Sequence, residues 1–133
     1  MEIKSCACWS EEEILSLYKA AGWCNYYEHP QMLCKAWENS LDIYGAYEED
    51  RLIGVIRVVG DGYSVILIQD LLVHPDYQRK GIGTMLMQTI LAKYAHVYQI
   101  QLATDNTEKT KAFYRSLGFR AMEELGCCGF LKV

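Results

Sequence analysis

The sequence predicts an α/β domain whose central mixed sheet is flanked by about four helices. Three observations carry that expectation. The apolar period alternates along the chain between helical and strand-like spacing. Two turn signals, "EED" at 48–50 and "GDG" at 60–62, join successive β-rich runs and so make antiparallel neighbours. A later strand–helix–strand run then makes a parallel pair, because parallel strands need a crossover.

The opening "EIKSCAC" reads as a short strand. Ser10 followed by Glu13 fits a capping box at a helix start. Ile14, Leu15, Leu17 and Tyr18 continue at helical spacing, and Gly22 is the stop. A second helix is expected from Pro30 through Trp37 to Ser40, with Pro30 in its first turn. "LDIYGAYE" and "RLIGVIRVV" are β-rich, and "YSVILIQDLLV" is so continuously apolar that burial on both faces is expected. From Gly83 the pattern is helical again, with Met85, Leu86, Ile90 and Tyr94 on one face. "VYQIQLAT" is a strand and "NTEKTKAFYRSL" a helix closed by Gly118, while "FRAMEEL" and "CGFLKV" read as two final strands.

The totals fit one domain over residues 1–133, large enough to bury a core without disulfides. Half the residues are hydrophobic (51%) and 23% are charged, which is the composition of an ordinary globular domain. A net charge of −4 with mixed signs argues against a nucleic-acid partner, which selects for a basic face. The six cysteines lack C-x-x-C spacing and no histidine pair accompanies them, so no metal is expected and they read as free thiols. The N-terminus lacks the basic and apolar regions of a signal peptide, and no run nears the ~18 apolar residues of a membrane span. A cytoplasmic protein without a membrane partner is expected.

The stretch "VHPDYQRKGIGT" at 73–84 carries the chemistry. It lies where an apolar strand turns into a helix, and a helix N-terminus presents unpartnered N–H groups with partial positive charge. Glycine leaves those amides open, and Arg79 and Lys80 add full charges, so the stretch is a candidate diphosphate cradle. Two familiar phosphate loops do not fit. No glycine stands five residues before Gly81, as a P-loop requires, and Leu86 stands where a dinucleotide fingerprint has its third glycine.

A longer match does fit. "DLLVHPDYQRKGIGTMLM" at 70–87 resembles the central motif of the GNAT superfamily of acyl-CoA N-acyltransferases, Q/R-x-x-G-x-G/A after an apolar strand ending V-x-P. Gln78, Gly81 and Gly83 take the motif positions, with Val73 and Pro75 before them. "KAFYRSLGF" at 111–119 resembles the family's F-Y-x-x-x-G-F helix ending, and the element order agrees along the whole chain. The resemblance implies a small, single-domain, bacterial-type N-acetyltransferase, with acetyl-CoA as co-substrate and no metal. Its acceptor would be a primary amine of a small molecule, peptide or protein, attacking directly in a ternary complex. Gln78, Arg79, Lys80, Gly81, Ile82, Gly83 and Thr84 would hold the coenzyme A diphosphate, and the backbone of Leu71, Leu72 and Val73 its pantetheine arm. Tyr114 takes the general-acid position and Asp70 is the carboxylate available as base. Where many members have Asn seven residues before that tyrosine, Thr107 stands here, and Asn106 beside it is the candidate coenzyme contact. Homodimers are common in the family and compatible with this chain. A non-catalytic acyl-CoA-binding module of the same fold is the alternative. The aromatic stretch "GWCNYYEHP" at 22–30 is read as packing in preference to an acceptor pocket.

Overall fold

The computed structural model describes residues 1–133 and divides into two compact units, Met1–Gln101 and Leu102–Val133. Strands β1 (Glu2–Ser5), β2 (Asp42–Glu48), β3 (Arg51–Gly60), β4 (Val65–Val73) and β5 (Gln99–Leu102) form one sheet in sequence order. The first four pair antiparallel. The helices are α1 (Glu11–Ala20), α2 (Cys24–Tyr27), α3 (Pro30–Glu38), α4 (Ile82–Lys93) and α5 (Glu108–Ser116).

Local chemistry explains the boundaries. The Ser10 hydroxyl accepts the Glu13 N–H at 3.2 Å, capping α1. The β2–β3 turn has positive φ at both Glu49 and Asp50 (48° and 68°), the backbone that two-residue hairpins need. In the β3–β4 connection, Asp61 Oδ1 accepts the N–H groups of Tyr63, Ser64 and Val65 at 2.8, 2.8 and 3.1 Å. That loop is therefore fixed by one side chain between Gly60 and Gly62, which both have positive φ. The short helix α2 escaped the sequence reading, since four residues are too few to show a period.

One face of the sheet is covered by α1 and α3. Ile14, Leu17, Tyr18, Leu33 and Trp37 pack there with Ile43, Val55 and Leu72 in one buried cluster. Gly54, adjacent to Val55 on β3, points to the other face, where α4 lies. A Cβ on Gly54 would stand 3.3 Å from the Leu72 carbonyl and 3.4 Å from Ile82, so glycine lets the start of α4 approach the strand closely.

The two final strands expected from "FRAMEEL" and "CGFLKV" are not formed. Residues 119–133 contain only a 3₁₀ turn at Met122–Leu125, ended by Gly126 at φ 78°, and 127–133 have no regular structure. A β-rich composition expresses fit to a pleated, half-buried surface, and a segment without a strand beside it cannot realise that fit.

Within the α1–α3 side sits a buried polar network. Asp70 is wholly buried, and its Oδ2 accepts from Arg57 Nε and from the Tyr18 hydroxyl, both at 2.6 Å. Trp37 Nε1 donates to the Tyr18 oxygen at 3.1 Å, and an Arg57 terminal nitrogen donates to Ser40 Oγ at 3.2 Å. Burial and its hydrogen bond to Asp70 push the Tyr18 phenol well above the ordinary tyrosine range, so it stays a donor. Arg57→Ala is expected to cost about 3–5 kcal/mol, because it strands a buried carboxylate. Replacing Arg57 and Asp70 together by Met and Leu should cost far less. Urea denaturation of both variants checks this, and equal losses would show that the pair is not the anchor.

Candidate active site

Strand β4 is irregular where it enters the motif. Opposite it on β3, Arg57 pairs with Asp70 but Val58 pairs with Ile68, so Gln69 is an extra, bulged residue. Its side-chain amide donates to the Tyr26 hydroxyl at 3.2 Å. On the other side of β4, Tyr98 N–H donates to the Tyr63 carbonyl and Gln99 N–H to the Ser64 carbonyl, at 3.0 and 2.9 Å. The starts of β4 and β5 therefore lie side by side and the two strands run parallel. With four residues, β5 reaches about the level of Ile68, and β4 continues past it through Leu71, Leu72 and Val73.

The chain then turns tightly. His74 N–H donates to the Ile53 carbonyl at 2.7 Å, and its Nδ1 accepts the Asp76 N–H at 3.1 Å. His74 thus caps the 3₁₀ turn Pro75–Tyr77. Gln78 Nε2 donates to the Val73 carbonyl at 3.1 Å, closing the loop on the end of β4. Arg79 and Gly81 adopt the left-handed conformation, φ 64° and 79°. Nothing lies within 4 Å of where a Cβ on Gly81 would be.

Helix α4 begins immediately, with Gly81 at its cap position, no side-chain cap and no acidic residue in its first turn. The leading amides of Ile82, Gly83 and Thr84 are thus without an anionic side chain of their own. Arg79 and Lys80 are exposed and take part in no ion pair, although Lys80 Nζ lies 5.4 Å from the Tyr77 ring centre. Open amides, a helix dipole and two unpaired cations suit a diphosphate. No group of three or more His, Cys, Asp or Glu side chains is arranged to hold a metal ion, and all six cysteines are free thiols.

The second unit holds Tyr114 on α5. The Gly118 N–H donates to the Arg115 carbonyl and the Phe119 N–H to the Tyr114 carbonyl, at 3.0 and 3.1 Å. With Gly118 at φ 95°, this is a Schellman ending, which returns Phe119 onto the helix. Ring centres of Tyr114 lie 5.0 Å from Phe113 and 5.9 Å from Phe119, both edge-on. The spacing of F-Y-x-x-x-G-F is therefore that of a glycine-closed helix end clamping a tyrosine ring. Burial pushes the Tyr114 phenol above its ordinary value and the Asp105 carboxylate adds to this, while a hydrogen bond with Thr104 opposes it. Thr107 caps α5, accepting the Thr110 N–H at 3.3 Å, and Asn106 is exposed just before it.

Sequence reasoning missed Arg57, the partner of Asp70. The signal was available, since each is the only charge inside an apolar strand, "IGVIRVV" and "VILIQDLLV". Trp23 and Tyr26 pack around Tyr18, with ring centres 6.0 and 5.5 Å from it, and stack on each other at 5.8 Å.

Comparison with known proteins gives a consistent set of likenesses. A family model described as an acetyltransferase (GNAT) domain matches residues 39–121, which run across both units. A solved GNAT-family acetyltransferase from Streptococcus pneumoniae TIGR4 is 44% identical, with a TM-score of 0.90 over 99% of this chain and 96% of that one. A probable acetyltransferase from methicillin-resistant Staphylococcus aureus is 26% identical, with a TM-score of 0.80 over 99% of this chain and all of that one. Among curated relatives, a ycf52-like N-acetyltransferase of Prochlorococcus marinus is 31% identical over 89% of this chain. A histone acetyltransferase of Glycine max is 35% identical over 58% of it. The chain spans 67% of the first and 33% of the second.

Gly118→Val is expected to destabilise the end of α5 by about 1–2 kcal/mol, the cost of a side chain in left-handed backbone. Native-state hydrogen exchange should report faster exchange at the Gly118 and Phe119 amides. Unchanged exchange there would refute the assigned helix ending.

Proposed function

The chain belongs to the GNAT acetyltransferase family, and from that premise we propose that it transfers an acetyl group from acetyl-CoA to a primary amine of a small molecule, peptide or protein. The observation that carries this reading is the bare, glycine-led start of α4 beside two unpaired cations, directly after a bulged strand that outruns its neighbour. The amides of Ile82, Gly83 and Thr84, with Arg79, Lys80 and the left-handed Gly81, grip the diphosphate, and Gln78 holds their loop. The backbone of Leu71, Leu72 and Val73 pairs with the pantetheine arm as an added strand would. Asn106, next to the cap of α5, is assigned a further coenzyme contact.

Acetyl-CoA supplies the activated acyl group. A backbone N–H at Leu71 or Leu72 polarises the thioester carbonyl. The neutral amine attacks that carbon, the C–S bond breaks, the Tyr114 hydroxyl gives its proton to the departing thiolate, and the proton shed by the acylated nitrogen passes through solvent to restore the phenol. A tyrosine phenol is protonated at neutral pH and so has a proton to give a thiolate, and burial keeps the Tyr114 hydroxyl in that form. Asp70 was the carboxylate available to take the amine's proton. Its burial and its two donors on Oδ2 favour a positioning role, which holds β4 at the bulge. The reading places the protein in the cytoplasm, where its six free thiols would stay reduced.

Incubating the purified protein with acetyl-CoA and a panel of amines should release coenzyme A thiol. Tyr114→Phe should lower kcat by at least ~10²-fold while leaving coenzyme affinity unchanged. Charge reversal of Arg79 and Lys80 should weaken coenzyme binding by about 10–100-fold, the worth of one charge-assisted hydrogen bond or more. Coenzyme binding without thiol release would instead identify an acyl-CoA-binding module. No coenzyme binding at all would overturn the whole reading.

A further inference from the structure

We propose that the acceptor amine belongs to a peptide, and that the side chains of Gln69 and Tyr26 hold that peptide by one main-chain N–H and C=O. The proposal rests on the acetyl-transfer reading and names the acceptor which that reading leaves open.

The bulge turns Gln69 toward the helices. Adjacent residues of a regular strand point to opposite faces. Here Asp70 meets Tyr18 of α1 and its neighbour Gln69 meets Tyr26 of α2, so both side chains lie on the α1–α3 side. The extra residue of β4 produces that departure. Gln69 is exposed and Tyr26 half-buried, whereas Ile68 and Asp70 on either side of Gln69 are buried. The pair is therefore the open, polar end of a closed core.

The Tyr26 ring is held in place from several directions. Trp23 stacks on it at 5.8 Å between ring centres, Tyr18 meets it edge-on at 5.5 Å, and the Arg57 guanidinium lies 5.9 Å from its centre. Tyr18 and Arg57 are themselves fixed on Asp70 Oδ2. The aromatic stretch thus packs, as its sequence suggests, and the packing sets one hydroxyl at the rim.

That hydroxyl accepts from Gln69 Nε2 at 3.2 Å. The bond leaves the tyrosine hydrogen and Gln69 Oε1 unused, so a donor and an acceptor stand side by side. An extended peptide offers the complement, because the N–H and C=O of one residue point the same way. A simple alkylamine has no such pair. Gln69 lies two residues before Leu71, about 7 Å along the strand from an amide assigned to the thioester carbonyl. The main chain two residues on from an N-terminal amine is within that reach, and so is the main chain of a lysine from its own ε-amine.

Coenzyme A thiol release should be measured with trialanine amide, with Nα-acetyl-lysine methylamide and with pentylamine, which has the lysine amine but no amide. Rates are expressed per neutral amine, since the amines differ in pKa. At least one peptide should exceed pentylamine in kcat/KM by about 10-fold or more, the worth of two hydrogen bonds. Tyr26→Phe and Gln69→Met should each lower that value about 5–10-fold through KM, while leaving pentylamine turnover and coenzyme affinity in place. Pentylamine used as well as both peptides overturns the proposal and leaves acetyl transfer standing. Variants that slow peptide and pentylamine alike also overturn it, because the pair would then only support the strand. Coenzyme A binding with no thiol release from any of the three acceptors removes the acetyl-transfer reading, and this inference with it.

Discussion

The ion pair between Arg57 and Asp70 is the constraint on which the first unit depends. It lies wholly inside, and it draws α1, α3 and two central strands to one carboxylate oxygen through Tyr18, Trp37 and Ser40. Removing two charges from water is costly, and the attraction between them repays that cost only in good geometry with further hydrogen bonds. Here Oδ2 has two short donors while Oδ1 has none, so the network is incompletely satisfied. Breaking such a network at one partner leaves a buried charge unpaired, which is costly. It stands at the register shift, where one residue of β4 has no partner on β3. Beyond that point the course of β4, and hence of the loop after it, is set by how Asp70 is held.

Two left-handed glycines then perform opposite tasks. Gly81 begins α4 without a side chain and leaves its first amides open, next to cations with no internal partner. Gly118 ends α5 and folds Phe119 back against Tyr114, fixing the ring edge-on between two phenylalanines. The same conformational freedom exposes backbone in one place and encloses a side chain in the other. The phenol so enclosed is desolvated and kept protonated, and the amides so exposed keep their capacity to meet an anion.

Much of this was legible in the residues. The helix start at Ser10, the hairpin turns and the glycine-led loop all depend on chemistry within a few positions, and that chemistry is printed in the sequence. The bulge at Gln69 was not legible, because it arises from pairing between strands and no local residue type demands it. Asp70 could be placed on its strand but not matched with Arg57, since the contact spans thirteen positions. The last two segments were read as strands from composition alone. Composition states what a segment could pair with and cannot supply the neighbour, and residues 127–133 have none within the sheet of this chain.

The central claim is that the start of α4 meets the diphosphate of coenzyme A. Amide NMR during titration with coenzyme A, and separately with pantetheine, tests it most directly because the two ligands differ by the phosphate-bearing part. The account predicts that coenzyme A shifts the Gly81, Ile82, Gly83 and Thr84 amides and that pantetheine leaves them in place while perturbing Leu71 to Val73. Coenzyme A binding that leaves the four amides at the start of α4 unmoved would contradict it.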